Sequence, residues 1–392
     1  MAFGHASDGS VVDGLVIGRR AWHARTMTTP STAGSTGRAH ALEPSDGPLT
    51  PEELQLATRN RGMPLEALRY DITPTGLHYL LVHFDIPAVE ARSWRLRIGG
   101  RVRAPIELSL DELRARPRRE IRVTMECAGN GRARLAPRPL SQPWLVEAIG
   151  TAEWGGTPLG GLLEEAGLLD DALEAVFTGA DRGVQGDVEH DYARSLPVAD
   201  AMRPEVLLAY EMNGAPLEPQ HGYPLRLLVP GWYGMTSVKW LTSIELVERP
   251  FEGFQQATAY RIQRDADDPG EPVTRIRVRA LMSPPGLPDF FSRHRIVERG
   301  RVRLYGRAWS GDGPIARVEV GVDGHWTDAT LLPPMGEFAW RGWVFDWDAT
   351  PGEHELACRA TDASGAVQPL EQPWNYQGMA NNLVQRVAVT VG

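Results

Sequence analysis

The acidic, proline-containing run Arg264–Thr274 (RDADDPGEPVT) separates two stretches of sequence with different periods. Beyond it, short alternating runs are divided by turns such as Ser310-Gly311-Asp312-Gly313, Asp323-Gly324 and Asp362-Ala363-Ser364-Gly365, with no helical period. Regular strands at that spacing predict a β-sandwich. Before it, strand signals (LHYLLVHFDIP, SWRLRIGGRV) mix with helical ones, including SLDELRAR, where Ser109 can cap and Glu112 lies three residues on. TPLGGLLEEAGL and VADAMRPEVLLAYEMNG continue the mixture as helical spacing or Gly-bounded strand runs. HGYPLRLLVPGWYGMTSVKWLTSIELVE reads as two β segments around a Pro-Gly turn, with Val238, Trp240, Thr242, Ile244 and Leu246 on one face. At 392 residues the chain exceeds one ordinary core. The expectation is an α+β architecture: an arm over 1–48, a mixed α/β domain over 49–270 and a sandwich over 273–392.

Charge and composition exclude some function classes. The net charge is −9, and no block of Lys or Arg marks a nucleic-acid surface. No apolar run approaches the roughly 20 residues of a membrane span. Arg19 and Arg20 form a pair, but a Thr/Ser/Gly-rich run follows where an export signal needs an apolar one, and Met27 is a second candidate start. A cytoplasmic location is expected.

Two cysteines do not make a disulfide scaffold. Cys358, in HELACRATD, occupies an ordinary inward position of a strand. Cys127 ends one: in EIRVTMECAGNGR, Ile121, Val123, Met125 and Cys127 alternate with Arg122, Thr124 and Glu126. Small residues and Arg132 follow. A buried core thiol beside a turn is the plainer reading, and the rest of the chain has to decide. Six of twelve tryptophans (Trp309, Trp326, Trp340, Trp343, Trp347, Trp374) lie past the boundary, as expected of sandwich core and interface packing. Against forty arginines stands a single lysine, Lys239. Its survival in such a bias suggests a compact point charge that a guanidinium cannot replace.

ECAGNGR, PWLVEAIGTAEWGGTPLGGLLEEAG, LLAYEMNGAPLEPQHGYPLRLLVPGWYGMTSVKWL and FEGFQQATAY, in that order, resemble the sulfite oxidase family of molybdopterin enzymes. The run GRAWSGDGPIARVEVGVDGHW through WNYQGMANN resembles that family's dimerisation domain, an immunoglobulin-like sandwich. The resemblance covers about residues 70–392. It implies a molybdenum–molybdopterin cofactor with Cys127 as the thiolate metal ligand, a natural role for a soft anionic donor. By the same resemblance Arg132, Asp181, His221, Arg226 and Lys239 bind cofactor, the last two with His221 as a phosphate cradle. Tyr260 matches a tyrosine near the metal oxo group, where a phenol can assist proton movement. Gly129 and Gly131 would keep Cβ atoms out of the pterin's path. The implied reaction is two-electron oxygen-atom transfer between substrate and water, the metal cycling between Mo(VI) and Mo(IV).

The sequence departs from the family where the substrate binds. Three positions that match pocket arginines carry His83, Gln377 and Pro314, and a matched cofactor-contacting histidine is Asp85. Each charge-assisted hydrogen bond contributes about 1.5–3 kcal/mol, so losing two or three weakens oxyanion binding by about three orders of magnitude or more. Protonation of His83 would restore part of the charge. A substrate less charged than sulfite is therefore expected, with His83, Cys127 and Tyr260 as the catalytic candidates. No Cys-x-x-Cys-His haem motif and no extra N-terminal domain is evident, so a separate electron carrier and a homodimer through the sandwich are expected. Open alternatives are a sulfite dehydrogenase proper, a metal-free hydrolase or transferase with Cys127 as nucleophile beside His83 or His221, and a non-catalytic pterin-binding protein.

Overall fold

The computed structural model describes residues 44–392, so the expected arm falls, but for its last residues, outside them. The first half carries β1 (Leu96–Gly100), β2 (Ile106–Leu108), β3 (Arg119–Glu126), β4 (Ile149–Pro158) and β5 (Glu174–Gln185). β6 (Val188–Pro197), β7 (Leu207–Met212), β8 (Ala215–Pro216), β9 (Arg226–Leu228) and β10 (Leu241–Val247) follow. One sheet runs β2-β1-β10-β5-β6, parallel at the β1–β10 pair and antiparallel elsewhere. The other runs β3-β4-β7-β8, antiparallel, with β9 also on β7.

Short helices close the connections: α1 (Pro51–Arg59), α2 (Leu110–Arg114), α3 (Leu159–Ala166), α4 (Val198–Ala201) and α5 (Phe254–Ala257). α2 starts where its sequence specifies, because Glu112 N donates to Ser109 Oγ at 3.2 Å and Ser109 N donates to the Glu112 carboxylate at 2.8 Å. Leu159, Leu162, Leu163 and Ala166 recur at helical spacing and bury one face of α3 in the core that also takes Leu96, Phe177 and Ile244. Among the described residues no helix is long and apolar enough to cross a membrane.

β11 (Arg261–Ile262) and β12 (Glu271–Pro272) pair across the acidic run. Then come β13 (Arg279–Met282), β14 (Leu287–Pro288), β15 (Arg295–Val297), β16 (Gly300–Trp309) and β17 (Ile315–Val322). The chain ends in β18 (His325–Asp328), β19 (Thr330–Leu331), β20 (Arg341–Ala349), β21 (Gly352–Asp362) and β22 (Gln385–Val391). They form two sheets, β13-β16-β20-β19 and β14-β15-β22-β21-β17-β18, the expected immunoglobulin-like sandwich. Trp343, Trp347 and Cys358 fill its core. Trp309 and Trp340 belong elsewhere, to a cluster with Met63, Tyr233, Tyr260 and Met379 that joins the sandwich to the first half.

Two expected alternations break. On β3 the polar face is not wet: Thr124 and Glu126 are as buried as Val123 and Met125, because the sandwich covers that face. Thr124 Oγ1 accepts from Trp340 N at 2.6 Å. Glu126 accepts from Arg279 at 2.7 Å, Trp309 Nε1 at 2.8 Å and Asn130 Nδ2 at 2.9 Å. The second break is at β10, which begins at Leu241 rather than Val238. Trp240 adopts φ 49° and turns the chain before the strand starts.

Candidate active site

β3 delivers Cys127 one residue beyond its last ladder position. Cys127 N donates to Ala148 O at 2.9 Å, and its carbonyl accepts from Asn130 N at 3.0 Å. The following loop is held from the sandwich side: Ala380 N donates to Ala128 O at 2.7 Å, and Asn381 Nδ2 donates to Gly131 O at 2.8 Å. A protein side chain packs against each of the two glycines, and Gly129 also lines a cavity. A Cβ on Gly129 would lie 2.8 Å from the Arg132 guanidinium, and one on Gly131 (φ 90°) would lie 3.0 Å from Asn381 Nδ2.

Two cavities meet at Cys127. The first, about 60 Å³, is lined among others by Cys127, Asp181, His221, Arg226 and Lys239. The second, about 310 Å³, is lined by Arg132, Leu140, Phe254, Gln377 and Met379, and both cavities share Cys127, His83 and Tyr260. The eight candidate catalytic and cofactor-binding residues read from the sequence therefore line these two adjoining cavities, although they span 83 to 260.

The first cavity is cationic and short of counter-charge. Arg226 donates to the carbonyls of His221 and Ser237, both at 3.0 Å, and Lys239 Nζ to those of Leu81 at 2.8 Å and Gln220 at 3.2 Å. Among the described residues neither makes an ion pair with a carboxylate, nor does Arg132. Burial holds Lys239 down at about 7 and Arg226 at about 10. It also pushes the one carboxylate present, Asp181, up to about 6. Uncompensated buried charge costs several kcal/mol per ion, so this cavity is built for an anion. The side-chain polar atoms left without partners point the same way: Asp181 Oδ1, His78 Nε2, His221 Nε2 and Arg226 Nε are buried and unbonded. Donors for a phosphate, an acceptor for a heterocyclic N–H and a thiol at the junction are what a phosphorylated, metal-carrying pterin needs, and the residues fit that group.

The second cavity bears on substrate. Tyr260 Oη and His83 Nε2 are hydrogen-bonded at 3.0 Å. Burial, with Lys239 and Arg132 nearby, holds His83 at about 3, so it is neutral at pH 7 and does not restore the missing positive charge. Burial also raises the Tyr260 phenol well above its ordinary range. Gln377 turns its amide away, donating to Thr258 O at 2.9 Å and to the Gln263 side chain, while its backbone carbonyl accepts from Arg132 Nε at 2.8 Å. Pro314 is not here at all; it lines a separate cavity with Trp309 and Ile276. Asp85 is also elsewhere, its side chain 99% exposed and paired with Arg59 at 3.7 Å.

Several residues at the site lie outside the motifs read from the sequence. His78 is a lone histidine in an apolar run, yet it packs edge-on against His221 with ring centroids 5.9 Å apart. Tyr192 packs tilted against His83, ring centroids 5.0 Å apart, and donates to Met235 O at 2.8 Å. Arg194, 1% exposed, sits 5.5 Å from the Tyr260 ring centroid. An arginine two residues from a tyrosine on the inward face of a strand was the available signal.

Comparison with known proteins supplies the last observations. Residues 83–255 match the oxidoreductase molybdopterin binding domain, and residues 289–392 the Mo-co oxidoreductase dimerisation domain. Mouse mitochondrial sulfite oxidase is 35% identical over 350 residues, covering 82% of this chain and 62% of that protein. Chicken sulfite oxidase is 34% identical over 342 residues, covering 80% of this chain and 72% of that one. Tomato NADH nitrate reductase is 30% identical over 365 residues, covering 85% and 40%. The chain thus spans 62% of the length of its mouse and human relatives. Among solved structures, the sulfane dehydrogenase SoxCD of Paracoccus pantotrophus superposes with TM-score 0.76 at 25% identity, over 95% of this chain and 96% of that one.

Proposed function

Because the chain belongs to the sulfite oxidase family of molybdopterin enzymes, we propose that it is an oxidoreductase that transfers an oxygen atom to or from a substrate less charged than sulfite. The observation that carries this is the meeting of two unlike cavities at Cys127, one rich in unpaired buried cations and the other nearly free of charge. In this reading Cys127 is the protein ligand of a molybdenum–pterin cofactor. When bound, that group supplies a two-electron redox change and oxygen-atom exchange with water.

The chain's own groups do the rest. Lys239, Arg226 and His221 hold the terminal phosphate by charge and hydrogen bonding, and Asp181 accepts from a pterin N–H. Lys239 has a third N–H beside the two given to the Leu81 and Gln220 carbonyls, and a phosphate there favours its charged form. Arg132 favours the ionised thiol, whose acidity burial alone would suppress. Tyr260 keeps the proton at its oxygen, and neutral His83 fixes the direction of that O–H through their hydrogen bond.

The domains assigned are 49–270 for the cofactor and 273–392 for the sandwich. A homodimer through the sandwich and a separate one-electron carrier complete the proposal, the first supported by the dimerisation-domain match. A cysteine-nucleophile hydrolase is disfavoured, because among the described residues no hydrogen bond joins the Cys127 thiol to a histidine.

Elemental analysis of the purified protein tests the reading. About one molybdenum per chain is expected, with dye-coupled turnover lost in Cys127→Ser. A metal-free protein that still turns over would sink it, as would efficient sulfite oxidation at micromolar KM for the charge argument.

A further inference from the structure

The second cavity has the make-up of a pocket for an organic molecule. Leu56, Leu140, Phe254 and Met379 form apolar wall; among the described residues Arg132 is its one permanent cation and no carboxylate lines it. At about 310 Å³ it falls at the low end of the roughly 300–1,000 Å³ of small-molecule pockets. A lone inorganic oxyanion would leave most of that space unfilled. A dianion here would meet a single guanidinium, itself engaged by the Gln377 carbonyl, and would keep one charge uncompensated in a buried site. A monoanion with an apolar body is matched on both counts.

The position of the charge narrows the class further. Arg132 lines the same cavity as Cys127, its guanidinium packed against Gly129 two residues on from the thiol, so the cation sits at the reacting end of the cavity. The substrate must carry its negative charge and its oxygen-accepting lone pair in the same group. Resting on the function proposed above, we infer that the substrate is an organic sulfinate, R–SO₂⁻, oxidised to the sulfonate. The balance is R–SO₂⁻ + H₂O → R–SO₃⁻ + 2H⁺ + 2e⁻. The sulfur lone pair forms the new S–O bond, both O–H bonds of water break, and the two electrons leave singly to a one-electron carrier protein or, in an assay, to ferricyanide. With no carboxylate in the wall to receive an ammonium group, R is a plain alkyl or aryl group and not an aminoalkyl one.

Molybdenum content is measured first on the same holoenzyme preparation, and its absence overturns both this inference and the reading beneath it. On loaded enzyme with ferricyanide, kcat/KM for benzenesulfinate should exceed that for sulfite at least tenfold. Gln377→Arg, which adds a second cation to the wall, should move the ratio at least tenfold toward sulfite. Calorimetric titration gives a readout apart from turnover: benzenesulfonate should bind more tightly than sulfate. A wild-type preference for sulfite over benzenesulfinate, or tighter binding of sulfate than of benzenesulfonate, overturns the inference and leaves the family reading standing.

Discussion

His78 and His221 face each other edge to face, both buried, and neither Nε2 has a partner. Burial, with Arg226 beside both and Lys239 beside His221, holds them at about 4 and about 2, against an ordinary 6.5. Both are neutral in the fold and take up protons on unfolding once pH falls below 6.5. The unfolded chain therefore binds more protons between about pH 4 and 6.5. Stability of the cofactor-free protein should rise with pH across that window, by up to ~1.4 kcal/mol per pH unit per histidine, and level off above it. His221→Asn removes one contribution, so its urea midpoints at pH 5 and pH 7 should differ less than those of the parent. An unchanged difference would show that these imidazoles are not buried neutral. His221 was legible because it lies in a motif with Arg226 and Lys239. His78 was not, since burial of a single polar residue in an apolar run leaves no period to read.

Between β3 and β4 the loop carrying Cys127 is shaped by one left-handed residue. Gly131 sits at φ 90° with Asn381 packed against it. Alanine there costs about 1–2 kcal/mol in backbone strain alone and displaces the Asn381 amide from the Gly131 carbonyl. Gly131→Ala should lower stability by about 2 kcal/mol in chemical denaturation and reduce the molybdenum retained per chain. Full retention would mean that the loop geometry does not matter to the ligand. Helices were the legible elements: the capping box of α2 and the 3–4 spacing of α3 are local, and local rules decided them. The start of β10 was not: Trp240 stands at φ 49° next to Lys239, whose ammonium donates to the Leu81 and Gln220 carbonyls, and contacts with segments that distant leave no local pattern.

The two halves of the molecule share one buried polar network. Arg279 on β13 pairs with Glu126 on β3 at 2.7 Å, both side chains at most 2% exposed, next to the residue that carries the thiol. Arg307 Nε donates to Leu68 O and Trp340 Nε1 to Asp71 O, each at 2.9 Å, tying the sandwich to the first half again. Arg279→Ala leaves a buried carboxylate with neutral partners only, a change that costs about 3–5 kcal/mol. Urea denaturation followed by circular dichroism should show that loss within a single transition for both halves. Two separated transitions would show that the sandwich folds on its own terms. Periodicity and ordered motifs are written locally, and they made legible the two-part architecture, the strand ending at Cys127 and the residues proposed to hold an anionic metallocofactor. That Glu126 faces a buried arginine, that Pro314 and Asp85 lie away from the site, and that His83 is held neutral came only with the packing of distant segments. Those outcomes depend on which distant surface covers a residue, and burial sets both the protonation and the partner of a polar group.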